Sequence, residues 1–486
     1  NGSPVGIDIR DMRLSGPGGP DGGIVIDKAV VLARKNQRAL EANIDFGGQP
    51  IKLAAMLRRD GANSVSVSLR ADDVPLPFGR LRTVFSAIEA DPLPDASREP
   101  VLADLYVSAE RRPGDLPDQL AFHIDPKALS LKLDEGDFID LSGRLNFEWA
   151  ADRRVLALQD SPVKFGRSSG VLSGGVRDVP EGEAVADGRN YQFELVLNEG
   201  VSNPLDSPER PVEFAARAQG VLAAGSGITE FNRIEIKSAA GYAEGAGTLD
   251  FAAAVPNAIF ALSIKDFALA GVKQFWPGSV ARAARRWVLE NLAGGRVSEG
   301  EFLIAEPLRR RVAGTDEKLE GDSELSLKVE GVRFDVAGDI PPVRDAVGRV
   351  DFKGGEATIT LDSGTAYLPS GRTAAASNGT LVIHQQDPSG MVFADLDVDV
   401  AGEADALGEL ISFRPISAKN YRDYKAEDLS GDVDAHVTMR FVLNPSDSTP
   451  PPDWNVALDV RDASVAEPFE GRILSDMTGR IEIDRE

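Results

Sequence analysis

Apolar and polar residues alternate along most of this chain. Val5, Ile7 and Ile9 stand against Gly6, Asp8 and Arg10, and Ser64–Ala71 is nearly pure period two. Leu129, Leu131 and Leu133 alternate with Ser130, Lys132 and Asp134, and the same pattern returns at Tyr191–Leu197, Phe393–Val400 and Val433–Leu443. A period of two puts every apolar side chain of a strand on one face. Scattered Gly and Pro mark frequent turns between these runs. The pattern predicts a mainly β protein, a long antiparallel meander. Gly143-Arg144-Leu145-Asn146-Phe147 recurs in kind at Gly247, Gly348, Gly379 and Gly479, each read as a glycine turn leading into a strand. The intervals are unequal, so this is no solenoid rung of fixed length.

One stretch departs from the alternation. Between Phe275 and Gly295, the residues Val280, Ala284, Trp287 and Val288 recur at i, i+4, i+7 and i+8, and Leu292 continues the same face. That is the buried face of one prominent amphipathic helix. Pro277 and Ser279 offer a start and Gly294-Gly295 a stop. Arg282, Arg285 and Arg286 fall mostly on the other side and are expected to face solvent. Leu76–Ala90 and Ala404–Ile411 are candidates for short helices. The chain thus divides into a β segment over 1–270, a helix-containing insertion over 271–296, and a second β segment over 297–486 expected to continue the first.

The formal net charge of −24 argues against nucleic-acid binding, because phosphate would be repelled. The absence of cysteine excludes disulfides, thiolate metal sites and cysteine nucleophiles. No run of about 18 apolar residues is present to span a membrane. The opening Asn1-Gly2-Ser3-Pro4, and an alternating pattern still in progress at Gly479–Asp484, read as a piece cut from a longer chain.

Catalytic chemistry is hard to find. His123, His384 and His436 form no HExxH or HxH cluster, and no nucleophile elbow or phosphate loop occurs. Asp395, Asp397 and Asp399 resemble a metal ladder, but at period two they describe a solvated strand face, and a calcium site needs loop geometry. No metal or cofactor is expected, and the chain reads as a non-enzyme. A glycan hydrolase would require a cleft with paired carboxylates. What the sequence does supply is an extended apolar sheet face. Such a face is either buried against a second sheet, giving a sandwich, or left lining a groove for a ligand.

The helix region bears on that choice. Phe275-Trp276-Pro277, then Ala284-Arg285-Arg286-Trp287-Val288-Leu289-Glu290-Asn291-Leu292, then Gly294-Gly295-Arg296-Val297, resembles the AsmA-like superfamily of Gram-negative bacteria, in its YhdP/TamB-type branch. The likeness extends through Val332–Val343, Gly348–Phe352 and Ala357–Gly364. It implies a sheet curled into an open, elongated, taco-like groove. It also implies a periplasmic body, anchored to the inner membrane in the full-length protein, that conducts phospholipid between inner and outer membranes. The partners implied are phospholipid acyl chains, with both membranes reached through regions outside this chain. Candidate lining residues are Phe147, Phe193, Phe251, Phe334, Phe352, Leu396 and Phe441. The helix face Val280, Ala284, Trp287, Val288 and Leu292 is expected to pack on the sheet, either as a partial plug or rim that gates passage or as a brace on the outer wall. The alternative reading is a cell-envelope scaffold that carries no lipid.

Overall fold

Among the described residues, twenty-eight strands, two of them only two residues long, hydrogen-bond into one sheet. The computed structural model describes residues 5–14, 24–46, 49–60, 64–75, 91–92, 102–111, 119–127, 129–132, 138–150, 153–179, 190–223, 226–253, 255–276, 282–307, 321–335, 339–384, 387, 390–414, 425–443, 449–469 and 472–484. All registered pairings are antiparallel, and strands adjacent in sequence are adjacent in the sheet almost throughout. Val5–Leu14 pairs only with Ile24–Arg34, and Arg472–Asp484 only with Asp453–Phe469, so these two form free edges and the sheet stays open. The meander and the open groove expected from the sequence are both present. The candidate helix at Leu76–Ala90 lies outside the described residues.

Three α-helices interrupt the described strands: α1, Leu269–Phe275; α2, Arg282–Asn291; and α3, Ala404–Leu410. The α1–α2 insertion does not break the sheet. The strands on either side of it, Asn257–Ala268 and Arg296–Pro307, pair directly from Asn257↔Pro307 to Ala268↔Arg296. By the alternation of strand direction, α3 leaves the sheet at the same long edge as α1–α2. Both helical insertions therefore stand on one rim.

The registers are in phase over the whole sheet. One row begins Ile7, Val31, Leu40, Ala55, Leu69, Val107, Phe122, Phe147, Leu158. It continues through Gly174, Leu195, Ala218, Ile234, Gly245, Leu262 and Phe302. It ends through Leu325, Phe352, Ala357, Ile383, Ala394 and Phe441. Every member is apolar or glycine, so one face is a continuous hydrocarbon surface. The opposite face carries ion pairs between neighbouring strands, such as Arg144–Asp125 at 2.7 Å and Arg296–Glu330 at 2.7 Å.

A strict period of two does not persist through strands this long. Register shifts occur at bulges, and residues in the left-handed region sit at many of them: Asp73, Glu199, Asp345, Asn378 and Asp462. Asp and Asn tolerate this conformation better than most L-residues. Each bulge inserts one residue, so the apolar spacing becomes three at that point, as from Val343 to Ala346 across Asp345. Side chains return to the same face, and the strand bends.

The repeated glycine motif turns out differently from the sequence reading. Gly247, Gly348, Gly379 and Gly479 lie within strands, not at turns. Gly247 faces the bulge after Phe231, and Gly348 and Gly379 adjoin register shifts in their own pairings. Gly247 admits a neighbouring strand closely: a Cβ there would lie 2.2 Å from Phe260 Cδ1 and 2.5 Å from the Ile259 carbonyl oxygen. Gly479 meets nothing within 4 Å. Gly247→Ala is therefore expected to cost about 1–3 kcal/mol, as overpacking does, while Gly479→Ala is nearly neutral. Thermal unfolding followed by circular dichroism measures the difference between the two variants.

Candidate functional site

The apolar face changes character along the chain. From Val5 to about Leu262 most of its larger side chains are half-buried, and some are open, as Ile7 at 55% and Val67 at 38% exposure show. From Ile264 onward the face closes: Leu327 is 0% exposed and Val350 1%. Among the described residues no second sheet covers them. They are buried by side chains of the same curled face and by the helices on its rim, forming one cluster that runs from Ala243 through Leu327 and Val350 to Ala394.

Phe147 lies in the half-buried part, stacked on Phe122 at 4.8 Å. Phe193 lies on the same face of the strand as Leu195 and begins a ring series, with Phe231 at 5.2 Å and Phe260 a further 5.5 Å on. Phe334, Phe352, Leu396 and Phe441 are partly buried and pack against the closed cluster. Phe251 departs from the set. It stands just beyond the strand Gly241–Asp250, in a bend whose backbone N–H bonds to the Gly227 carbonyl, so it marks the rim and not the lining.

The helix lies where the strand row meets the rim. Val288 and Leu292 are buried in the same cluster as Ile264, Val297, Val329 and Val332, all on the apolar face, and Trp287 packs on it, its ring 5.7 Å from that of Phe334. Leu292 pairs with Phe334 in a two-residue strand that ties the end of α2 to the sheet. The insertion thus covers the apolar face at the rim instead of bracing the outer wall. Val280 and the side chain of Ala284 lie outside the described residues. α1 was not foreseen: it is seven residues long, with no side-chain cap, yet Leu269, Val272 and the following Trp276 are buried, and Trp276 meets Phe302 edge-on at 5.8 Å.

The arginine assignment needs correction. Arg285 is only 4% exposed. Its Nε donates to the Trp276 carbonyl at 3.0 Å, and its two terminal nitrogens grip Asp206, Nη2 to Oδ1 at 2.9 Å. Arg286 is exposed, as expected. Beside Arg285's partner, Lys273 is 3% exposed and donates to Glu209 at 3.2 Å and to the carbonyls of Leu289 and Leu292. Gln274 Nε2 donates to the carbonyls of Glu209 and Arg210, both at 2.8 Å, whereas its buried Oε1 has no partner. Residues 203–211 therefore form a strap across the helix pair. Removing one partner of a buried charge costs about 3–5 kcal/mol, less where water can replace it. The signal available beforehand was Lys273-Gln274, two polar residues inside a run of apolar and aromatic ones. A comparable clamp holds α3: Arg372 reaches Asp405 at 2.6 Å and Glu409 at 3.3 Å.

Asp395, Asp397 and Asp399 lie on the polar face among histidines and an arginine. His384 bonds Asp395 at 2.7 Å, Arg440 reaches the same carboxylate at 3.3 Å, and His436 bonds Asp399 at 2.9 Å. Among the described residues no group of three or more acidic or histidine side chains is arranged to hold a metal ion, and no helix is long and apolar enough to cross a membrane. The hydrogen bond to Asp395, then that to Glu356, raises the His384 proton affinity above its ordinary 6.5. The bonds to His436 and Asn378 hold Asp399 below its ordinary 3.8.

Comparison with family models, curated proteins and solved structures finds no match to this chain.

Two outcomes follow from this geometry. The His384 contribution to stability is complete below pH 6.5 and lost as pH rises through its higher folded value; the Asp399 contribution is present above pH 3.8 and lost as pH falls through its lower one. A histidine NMR titration should place the His384 midpoint above 6.5, and Asp395→Asn should bring it down. Val288→Asp, which buries an unpaired carboxylate, is expected to destabilise the fold more than Trp287→Asp at its half-buried site. Chemical denaturation compares the two.

Proposed function

We propose that this chain is a segment of a periplasmic, AsmA-like lipid bridge, which holds phospholipid acyl chains on its apolar face and passes them between membranes. The observation that carries this reading is the apolar row across the open sheet, most of whose larger side chains from Ile7 to Leu262 the protein leaves only half-buried, Leu158 being buried. A monomer in water rarely leaves so large an apolar surface without an occupant. Burial of each methylene gains about 0.8 kcal/mol, so a diacyl lipid is held by many weak contacts without any directional group. Neighbouring positions along the lining are chemically alike, which makes sliding cheap. Headgroups remain in water at the open seam. The alternative, a cell-envelope scaffold that carries no lipid, draws support from the closed part of the face, where Leu327 and Val350 are already buried by the protein itself.

Native mass spectrometry of the purified chain separates the two. The lipid reading expects copurified phospholipid, and expects Phe147→Asp with Phe193→Asp to reduce it at least about tenfold, since two rings together bury several kcal/mol of apolar surface. A lipid-free chain that stays folded with both aspartates in place would leave the scaffold reading standing.

A further inference from the structure

The helix pair α1–α2 leaves the sheet and rejoins it at one point. The strands before and after it, Asn257–Ala268 and Arg296–Pro307, pair directly up to Ala268↔Arg296. There the Leu269 N–H donates to the Gly295 carbonyl at 3.3 Å, so both ends of the insertion meet on the rim. Gly294 and Gly295 stand at that point with φ of 65° and 64°. A Cβ at Gly294 would meet nothing within 4 Å, so glycine serves there for its backbone freedom and not to make room. The other end of the pair, at Trp276 and Arg285, is tied to residues 203–211, which join the strands Asn190–Ser202 and Val212–Ala223. Arg285 holds the Trp276 carbonyl and the Asp206 carboxylate, and Lys273, midway along α1, holds Glu209. Three strand spacings, about 14 Å, separate Val212–Ala223 from Asn257–Ala268. The ten residues of α2 span about 15 Å. The helices therefore reach from the glycine pair across the intervening strands to the strap. Their rings lie on the apolar face: Phe275 meets Phe214 at 5.0 Å, Trp276 meets Phe302 at 5.8 Å and Trp287 meets Phe334 at 5.7 Å.

We propose that α1–α2 is a hinged flap. It turns about Leu269 and Gly294–Gly295, is latched at its free end by Arg285–Asp206, and uncovers the closed part of the apolar face as a unit. Opening gives up the two-residue pairing of Leu292–Ala293 and leaves the long ladder between the flanking strands intact. The two kinds of contact respond differently to water. Asp206 is 54% exposed and Glu209 28%, so water replaces the bonds they lose as strap and helices part. The rings gain nothing from water and need other hydrocarbon in place of what they leave. What the opening admits rests on the acyl-chain reading. An acyl chain gives Phe302 and Phe334 the hydrocarbon that the flap withdraws. With a chain present the apolar terms nearly cancel, and the latch sets how often the flap stands open.

Hydrogen exchange of the whole, lipid-free chain tests the flap segment by segment. Asp206→Asn should speed exchange of the α1 and α2 amides about tenfold, the worth of one charge-assisted hydrogen bond. The amides of Asn257–Ala268 and Arg296–Pro307 should keep their rates. An ion pair that only stabilises the fold speeds helices and strands alike. That result, or unchanged helices, overturns the flap. Should the variant not fold, the unmodified protein decides: its α1 and α2 amides should share one level of protection below that of the two flanking strands, and equal protection throughout overturns the proposal. Decyl maltoside, below its aggregation concentration, is the acyl-chain probe. It should speed exchange of the helix amides further and leave the flanking strands unchanged. Helices that respond to Asp206→Asn but not to decyl maltoside leave hinge and latch standing and tell against the acyl-chain reading of what the flap admits.

Discussion

Everything in this molecule depends on keeping one face apolar through strands too long to do so unaided. A strand of ten or more residues twists, and its neighbours twist with it. An ideal two-residue period would have to survive that twist over the whole sheet. The bulges relax this requirement. At Asp73, Glu199, Asp345 and Asn378 the backbone takes a left-handed step, one extra residue is absorbed, and the next apolar side chain comes back to the inner face. The same step bends the strand. Curvature and phase thus have one cause, and the groove is a consequence of the device that keeps its lining apolar.

This explains which parts of the structure could be read from the residues. Alternation at Ser64–Ala71 or Val433–Leu443 announces strands directly, and turn residues between such runs announce the meander. The glycines were visible but misassigned. Gly247 looks like a turn because glycine usually marks one, but its role is to let the Ile259 carbonyl and the Phe260 ring approach, a contact made with a strand ten residues away. The helix of Trp287 was legible from its period. Arg285 was not: it stands three residues before Val288 and seven before Leu292, at the border of the apolar stripe, where a long charged side chain ordinarily reaches out to solvent. That place is filled by Asp206, 79 residues earlier in the chain, and nothing local in the sequence reports such a contact. α1 escaped for a related reason, since its seven residues are held by burial of Leu269 and Val272 and not by capping or propensity.

The lining residues divide along the same lines. Phe147 and Phe193, large apolar residues of alternating strands, stand on the half-buried stretch of the face. Phe352, Leu396 and Phe441 were identified by the same criterion and stand on the same face, yet pack against the closed cluster. Period two reports which face a residue occupies. It does not report how far the sheet curls there, which depends on bulges, small residues and the helices on the rim. Small residues in the closed region let paired strands come close: a Cβ at Gly348 would lie 2.1 Å from the Thr360 carbonyl oxygen, and one at Gly364 2.4 Å from Val343 Cγ1.

An apolar surface that is open at one end and closed at the other cannot carry a ligand through by affinity alone. The closed end already satisfies its hydrocarbon with its own side chains, so an incoming acyl chain gains there only what it displaces, close to nothing in net terms. Movement past that point requires a state in which the cover is lifted, and such a state needs a compensating interaction. Apolar contacts cannot provide one, because they are equal before and after. A charged contact can, because Arg285 and Lys273 must keep an anion wherever the strap goes. At the rim, the pairs Arg285–Asp206 and Lys273–Glu209 are thus contacts in which charge, and not apolar burial, fixes the position of the cover.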